Sequence, residues 1–250
     1  MDAPTNLVTA FMVVLARVSG FIAVLPVFSS SSAPVPLRIG IALAVSLVLA
    51  SVIPPAPALV GAGWVAVSLV VVQEILIGAG LALAVALVFA AVSQAGLVIH
   101  QQMGMSLAEI IDPMTGEESD PLGMILESCF TVLLLVAGGH QWMLRLMARS
   151  YEAFPVGGWP SAGALAEMIV EAGTLMLTFA LQLAAPLLAA FLVLAVVLAV
   201  LSRILPEMNI LFESLPLRVG LGLFMTAALL PLLNGFTALL GQWLSEFLVT

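Results

Sequence analysis

"GWVAVSLVVVQEILIGAGLALAVALVFAAVSQAGLVI", residues 63–99, carries one ionisable side chain, Glu74, in an otherwise uncharged and mostly apolar run. A helix needs only about 20 apolar residues to cross the hydrocarbon of a bilayer. Straight, this stretch would reach roughly 55 Å at about 1.5 Å per residue. A soluble helix of that length would keep a polar face, and none is present. The chain is therefore read as all-α and embedded in lipid. Composition agrees, with 63% hydrophobic and 8% charged residues against roughly 45–50% and about 25% in soluble domains.

Within the stretch Gly78, Ala82, Ala86 and Ala90 recur every four residues, and Gln94 follows at the same spacing. Such a stripe of small residues lets helix backbones approach closely where lipid supplies no hydrophobic drive. Packing within this chain and packing against another subunit both fit it.

Further apolar runs occupy residues 7–28, 37–53, 122–144, 163–201 and 217–248. The run 163–201 is also far too long for a simple span. Each overlong run is either a helical hairpin, broken at "GAG" (78–80) and "AAP" (184–186), or one long helix projecting beyond the hydrocarbon. If both are hairpins, Arg38, Arg145, Arg149, Arg203 and Arg218 fall on one side, which favours re-entry under the positive-inside rule. Prolines punctuate the chain elsewhere, in "VLPVFSSSSAPVPLR" (24–38), "VIPPAP" (52–57), and at Pro186, Pro206 and Pro216. Each removes a backbone donor, so the freed carbonyls need protein or water partners. The expected fold is a polytopic membrane protein of broken helices and helical hairpins.

The net charge is −8, from 14 acids against six arginines with no lysine. That balance disfavours nucleic acid, whose phosphates demand a basic surface. Cys129 is the one cysteine, which leaves no intrachain disulfide and no thiolate metal cluster. The first apolar run lacks a basic leader and is interrupted by Arg17, so it does not read as a cleavable signal. Arg17 costs about 2.5–3.5 kcal/mol in mid-span on insertion scales, so it must face protein or a polar cavity. Glu74 is its nearest complement. A structural ion pair, two separate snorkelling charges, an intersubunit pair and a proton-relay site all remain open for the two. His100 and His140 have no second ligand at metal spacing, and no phosphate loop, zinc motif or catalytic triad is recognisable. Glu117, Glu118 and Asp120 are close enough in sequence for a divalent cation, though a solvated loop is the plainer reading. No cofactor and no enzymatic activity are expected.

One segment departs from the rest: "HQQMGMSLAEIIDPMTGEESDPLGM" (100–124), rich in methionine, acids and turn residues. Methionine is unbranched and polarizable, so it can seal an irregular opening and repack around varied shapes. The prolines with Gly104, Gly116 and Gly123 keep the segment from becoming one long helix. Acids from Glu109 to Glu127 keep its exposed part hydrated. An ordinary extramembrane connection also fits these residues.

Several stretches, in order along the whole chain, resemble one family. They are "ARVSGFIAVLPVFS" (16–29), "VPLRIGIALAVSL" (35–47), "EILIGAGLALAVALVFAAVSQAGLVIHQQMGMSLAEIIDP" (74–113), "GGHQWMLRLMARSYEAFPVG" (138–157) and "SRILPEMNILFESLPLRVGLGLF" (202–224). Together they are similar to the FliR family of flagellar export-gate proteins, whose injectisome counterparts are the SctT proteins. Glu207 stands where the family usually has Gln, and Leu211 shifts the aromatic of its motif. The resemblance implies a non-enzymatic subunit of the type III export gate in the bacterial inner membrane and flagellar basal body. Its partners would be FliP-like and FliQ-like gate subunits, an FlhB-like switch protein, unfolded export substrates and membrane lipid. It also implies a joined unit, FliP-like over about 1–160 and FliQ-like over about 161–250. The loop would be a channel plug, with Met103, Met105 and Met114 sealing and Gly104, Asp112 and Pro113 in its turns. Arg17, Glu74, Gln94, Arg203 and Asn209 are the candidates for buried or intersubunit polar contacts. A secondary transporter using Arg17 and Glu74 as coupling charges, an injectisome gate subunit, and a pure scaffold are the competing expectations.

Overall fold

The computed structural model describes residues 3–29, 34–53, 63–105, 120–158, 162–205 and 210–246, and no strand occurs among them. The helices are α1 (Ala3–Val24), α2 (Pro26–Ser29), α3 (Val35–Val52) and α4 (Trp64–Gln102). There follow α5 (Pro121–Val136), α6 (Gly139–Ala153), α7 (Ala162–Ile204) and α8 (Ile210–Glu246). Four of them, α3, α4, α7 and α8, are long and apolar enough to cross a membrane, or five spans if the broken pair α5–α6 counts as one. The chain is thus an all-α, polytopic membrane protein.

Local chemistry sets the helix ends. Proline occupies the first turn of α2, α3 and α5, where its missing N–H breaks no helical hydrogen bond. Asp120 caps α5, its Oδ1 accepting from Gly123 N at 2.9 Å. Gly138, at φ +88°, separates α5 from α6 in a left-handed conformation that side chains resist. α6 is amphipathic: Met143, Leu146, Met147, Ser150 and Tyr151 are buried, and Arg145, Arg149 and Glu152 are exposed.

The expected breaks at 78–80 and 184–186 are absent. α4 is continuous for 39 residues and α7 for 43, about 58 Å and 64 Å at 1.5 Å per residue. Both exceed the roughly 30 Å of hydrocarbon, so the overlong runs are long helices rather than re-entrant hairpins. The physical reason differs at the two places. Gly78 is a contact glycine: a Cβ there would strike the Arg17 carbonyl oxygen of α1. Pro186 remains inside its helix, as transmembrane helices allow when the freed carbonyl is satisfied nearby. The chain does break, but at Leu25 before Pro26 and at Ala137–Gly138.

Two compact units form, each from discontinuous segments. The first draws on Met1–Val88, Gly138–Thr174 and Leu240–Thr250, the second on Phe89–Ala137 and Leu175–Leu239. In the first, α1 packs on α3 and crosses α4 at backbone contact. Gly20 faces the Ile75 carbonyl and Gly78 faces that of Arg17. The contacts step backwards along one helix as they step forwards along the other, so α1 and α4 run antiparallel. Val14, Val18 and Phe21 of α1 and Ile77, Leu81 and Val85 of α4 are buried there. In the second unit, α4 and α5 form an antiparallel hairpin. Gly96 lies against the Gly123 backbone, and the Phe89 and Phe130 rings meet edge to face at 5.2 Å. Phe179 of α7 and Phe236 of α8 make a similar pair at 4.9 Å.

α4 is the most buried of the four candidate spans. Its apolar window is 56% buried within the chain, against 11% for α3, 22% for α7 and 28% for α8. Gly78→Ala is expected to push a methyl into the α1 backbone and cost about 1–3 kcal/mol as an overpacking change. Gly40→Ala, with open space around it, is the control with the same change in helix propensity. Unfolding midpoints measured in detergent should fall for the first variant and not for the second. Equal midpoints would show that α1 and α4 do not meet at backbone contact.

Candidate functional site

The polar centre of the first unit is Arg17. Its side chain is wholly buried, as is that of Glu74, and its Nε donates to Glu74 Oε2 at 2.5 Å. Nη1 donates to the Ser150 carbonyl at 3.0 Å and to Ser150 Oγ at 3.2 Å, and Nη2 donates to the Phe154 carbonyl at 2.8 Å. The guanidinium carbon lies 3.9 Å above the centre of the Tyr151 ring, within reach of a cation–π attraction. Every guanidinium nitrogen therefore has an acceptor, as a buried charge requires.

Glu74 and Gln73 both reach the turn after α6. Gly157 N donates to Glu74 Oε1 at 3.5 Å, and Gln73 Nε2 donates to the Gly158 carbonyl. Gly157 adopts φ +77° in this turn. Three segments far apart in sequence (α1, α4, and α6 with its following turn) are thus joined through one guanidinium and one carboxylate. Residue types alone did not single out Ser150, Tyr151 or Phe154, because two of the acceptors are main-chain carbonyls that any residue could supply. The one available signal is that all three fall inside the family-like stretch 138–157. Gly20, likewise inside a motif, was missed for the same reason.

The second feature is the root of the Met-rich segment, in the second unit. Met103 follows the last residue of α4 and is fully buried. Its N–H closes a helical bond to the Ile99 carbonyl at 3.0 Å, and Gly104 then turns the chain at φ +78°. The Met103 side chain enters a notch in α8: a Cβ at Gly222 would fall on Met103 Cγ and Sδ. Met105 is half-buried. Asp112, Pro113, Met114, Glu117, Glu118 and Asn209 lie outside the described residues. The Oδ1 of Asp120 is engaged in capping α5.

The four-residue stripe does not lie on one packed face. Gly78 and Ala82 are buried, Ala86 and Ala90 are half-buried, and Gln94 is exposed. A step of four residues advances about 40° beyond a full turn at 3.6 residues per turn, so the stripe winds off the packed side. Arg203 is exposed in the last turn of α7.

The fold and these two features define a class: a polytopic helical membrane protein, with a buried ion pair and with helices longer than a bilayer is thick. Residues 8–242 match the profile of a family described as bacterial export proteins, family 1, and the chain belongs to that family. It is 32% identical over 225 residues to the flagellar biosynthetic protein FliR of Escherichia coli strain K12, covering 89% of this chain and 84% of that protein. It is 30% identical over 234 residues to the FliR of Pectobacterium carotovorum subsp. carotovorum, covering 92% and 88%. The surface presentation of antigens protein SpaR of Shigella sonnei is 27% identical over 152 residues, covering 61% and 59%.

Removing one member of a buried pair leaves the other charge uncompensated, which costs about 3–5 kcal/mol. Arg17→Met and Glu74→Leu are each expected to reduce stability in detergent by that order. The double variant should lose less than the sum of the two. A double-mutant cycle measures this coupling directly, and additive losses would mean that the two groups do not interact.

Proposed function

We propose that the chain is a subunit of the type III protein-export gate of the bacterial inner membrane, helping to form and seal the channel through which unfolded flagellar proteins leave the cytoplasm. The observation that carries this reading is the family match across nearly the whole chain. The flagellar system is favoured over an injectisome because the alignment with FliR proteins covers about nine-tenths of the chain, and that with SpaR about six-tenths. The role is architectural rather than enzymatic. Partners are FliP-like and FliQ-like gate subunits and an FlhB-like switch protein, and substrates are unfolded export proteins. The chain acts as a joined unit, FliP-like over about 1–160 and FliQ-like over about 161–250. The segment that begins at Met103 serves as the channel plug, with Met103, Met105 and Met114 as sealing residues. Several features support this assignment: adaptable methionine side chains, the left-handed turn at Gly104, and a hairpin that brings both ends of the segment to one place.

Native-gel separation of mild detergent extracts, with mass spectrometry of co-migrating chains, tests the assembly. A discrete large complex holding FliP-like and FliQ-like proteins is expected. A lone monomer or homodimer from a secreting cell would overturn the gate reading and favour a solute transporter. Shortening the segment between Met105 and Asp120 should leave that complex intact and make the membrane leak ions. Loss of the complex without a leak would assign the segment to assembly instead.

A further inference from the structure

We infer that Gly222 of α8 is the residue that positions Met103, and that their contact is a releasable latch holding the end of α4 to α8 in the closed gate. The inference rests on the export-gate reading above. Met103 is 0% exposed, yet it sits at the root of a segment rather than inside a helix. Its thioether fills the space that any side chain at position 222 would need. Only glycine leaves that notch open, so the identity of residue 222 decides where Met103 goes.

The notch is built to let go as well as to hold. The atoms in it, Cγ, Sδ and Cε, belong to an unbranched, flexible side chain that changes rotamer at low cost. Gly104 at φ +78° follows immediately, so the chain beyond Met103 changes direction at once. On α8 the notch lies between Pro216 and Pro231. Each proline denies a helical partner to the carbonyl four residues earlier, that of Phe212 or Ala227. Thr226 Oγ1 donates to the Gly222 carbonyl at 2.7 Å, a back-bond of the kind that bends helices slightly. The helix is therefore pliable around the glycine that receives the methionine. A static core contact is better made by a branched side chain with few rotamers against a filled surface.

The test is a reversible lock, M103C/G222C together with Cys129→Ser, expressed in a bacterium that depends on this chain for export. Oxidation is expected to form the disulfide in the assembled complex and stop export, and reduction to restore it. A disulfide that forms while export continues undiminished would make the contact a fixed part of the core and overturn the latch. Cysteines that never pair in the assembled complex would overturn it too, because the contact would not exist there. Should the reduced variant fail to assemble, Gly222→Ala and Met103→Ala provide the second test. Each should raise ion leakage through the assembled gate several-fold, and the double variant should leak no more than either alone. Additive leaks, or none, would sink the idea. A wild-type chain that neither joins the complex nor supports export would instead refute the gate reading itself.

Discussion

A guanidinium placed inside an apolar bundle can persist only if every donor is met, and Arg17 dictates much of the first unit for that reason. Its acceptors are the Glu74 carboxylate, the Ser150 carbonyl and hydroxyl, and the Phe154 carbonyl, with the Tyr151 ring beneath it. These groups come from α4, from α6 and from the turn that follows α6. None can shift far without leaving a buried charge exposed to an apolar surround, where the desolvation penalty is several kcal/mol per ion even after relaxation. The pair is thus a geometric clamp more than a source of net stability. It determines which faces of α1, α4 and α6 meet, and at what height.

The clamp depends in turn on glycine. Lipid offers helices no hydrophobic reason to associate, so close van der Waals approach and internal hydrogen bonds must serve instead. Gly20 and Gly78 bring the backbones of α1 and α4 together on either side of the Arg17–Glu74 bond. Gly96 and Gly123 do the same for α4 and α5, and Gly222 admits Met103 to the surface of α8. α4 takes part in the first two of these contacts, and Met103 directly follows its last residue. Helices that exceed the hydrocarbon thickness suit an assembly whose members cover one another's apolar surfaces, and α3, α7 and α8 leave much apolar surface outward in the isolated chain.

How much of this fold is legible in the sequence is uneven, for physical reasons. The embedding in lipid and the all-α class follow from hydropathy, which is a sum over local residues. The complementarity of Arg17 and Glu74 was visible because charges are rare in apolar stretches and few candidates exist. Their remaining partners were not visible, since main-chain carbonyls carry no residue signature. For the overlong runs the sequence leaves open a break at "GAG" (78–80) and at Pro186 or one long helix each, with the arginine distribution favouring the breaks. In the folded chain Gly78 is instead a contact surface, and Pro186 stays inside α7. Within the chain the small-residue stripe is buried at Gly78 and Ala82 and half-buried at Ala86 and Ala90, since a four-residue repeat drifts around a helix of 3.6 residues per turn.

By itself, then, the sequence determined the solvent of this protein, its helical class and its family resemblance, all of which depend on composition and on motifs read along the chain. Tertiary structure alone decided which glycines are contact points, which side of α4 meets α1, and where Met103 comes to rest. Those outcomes depend on pairs of residues separated by tens to more than a hundred positions. Nothing in the local chain encodes a distance between such pairs. Only the packed helices bring a glycine on one to the backbone or the methionine of another.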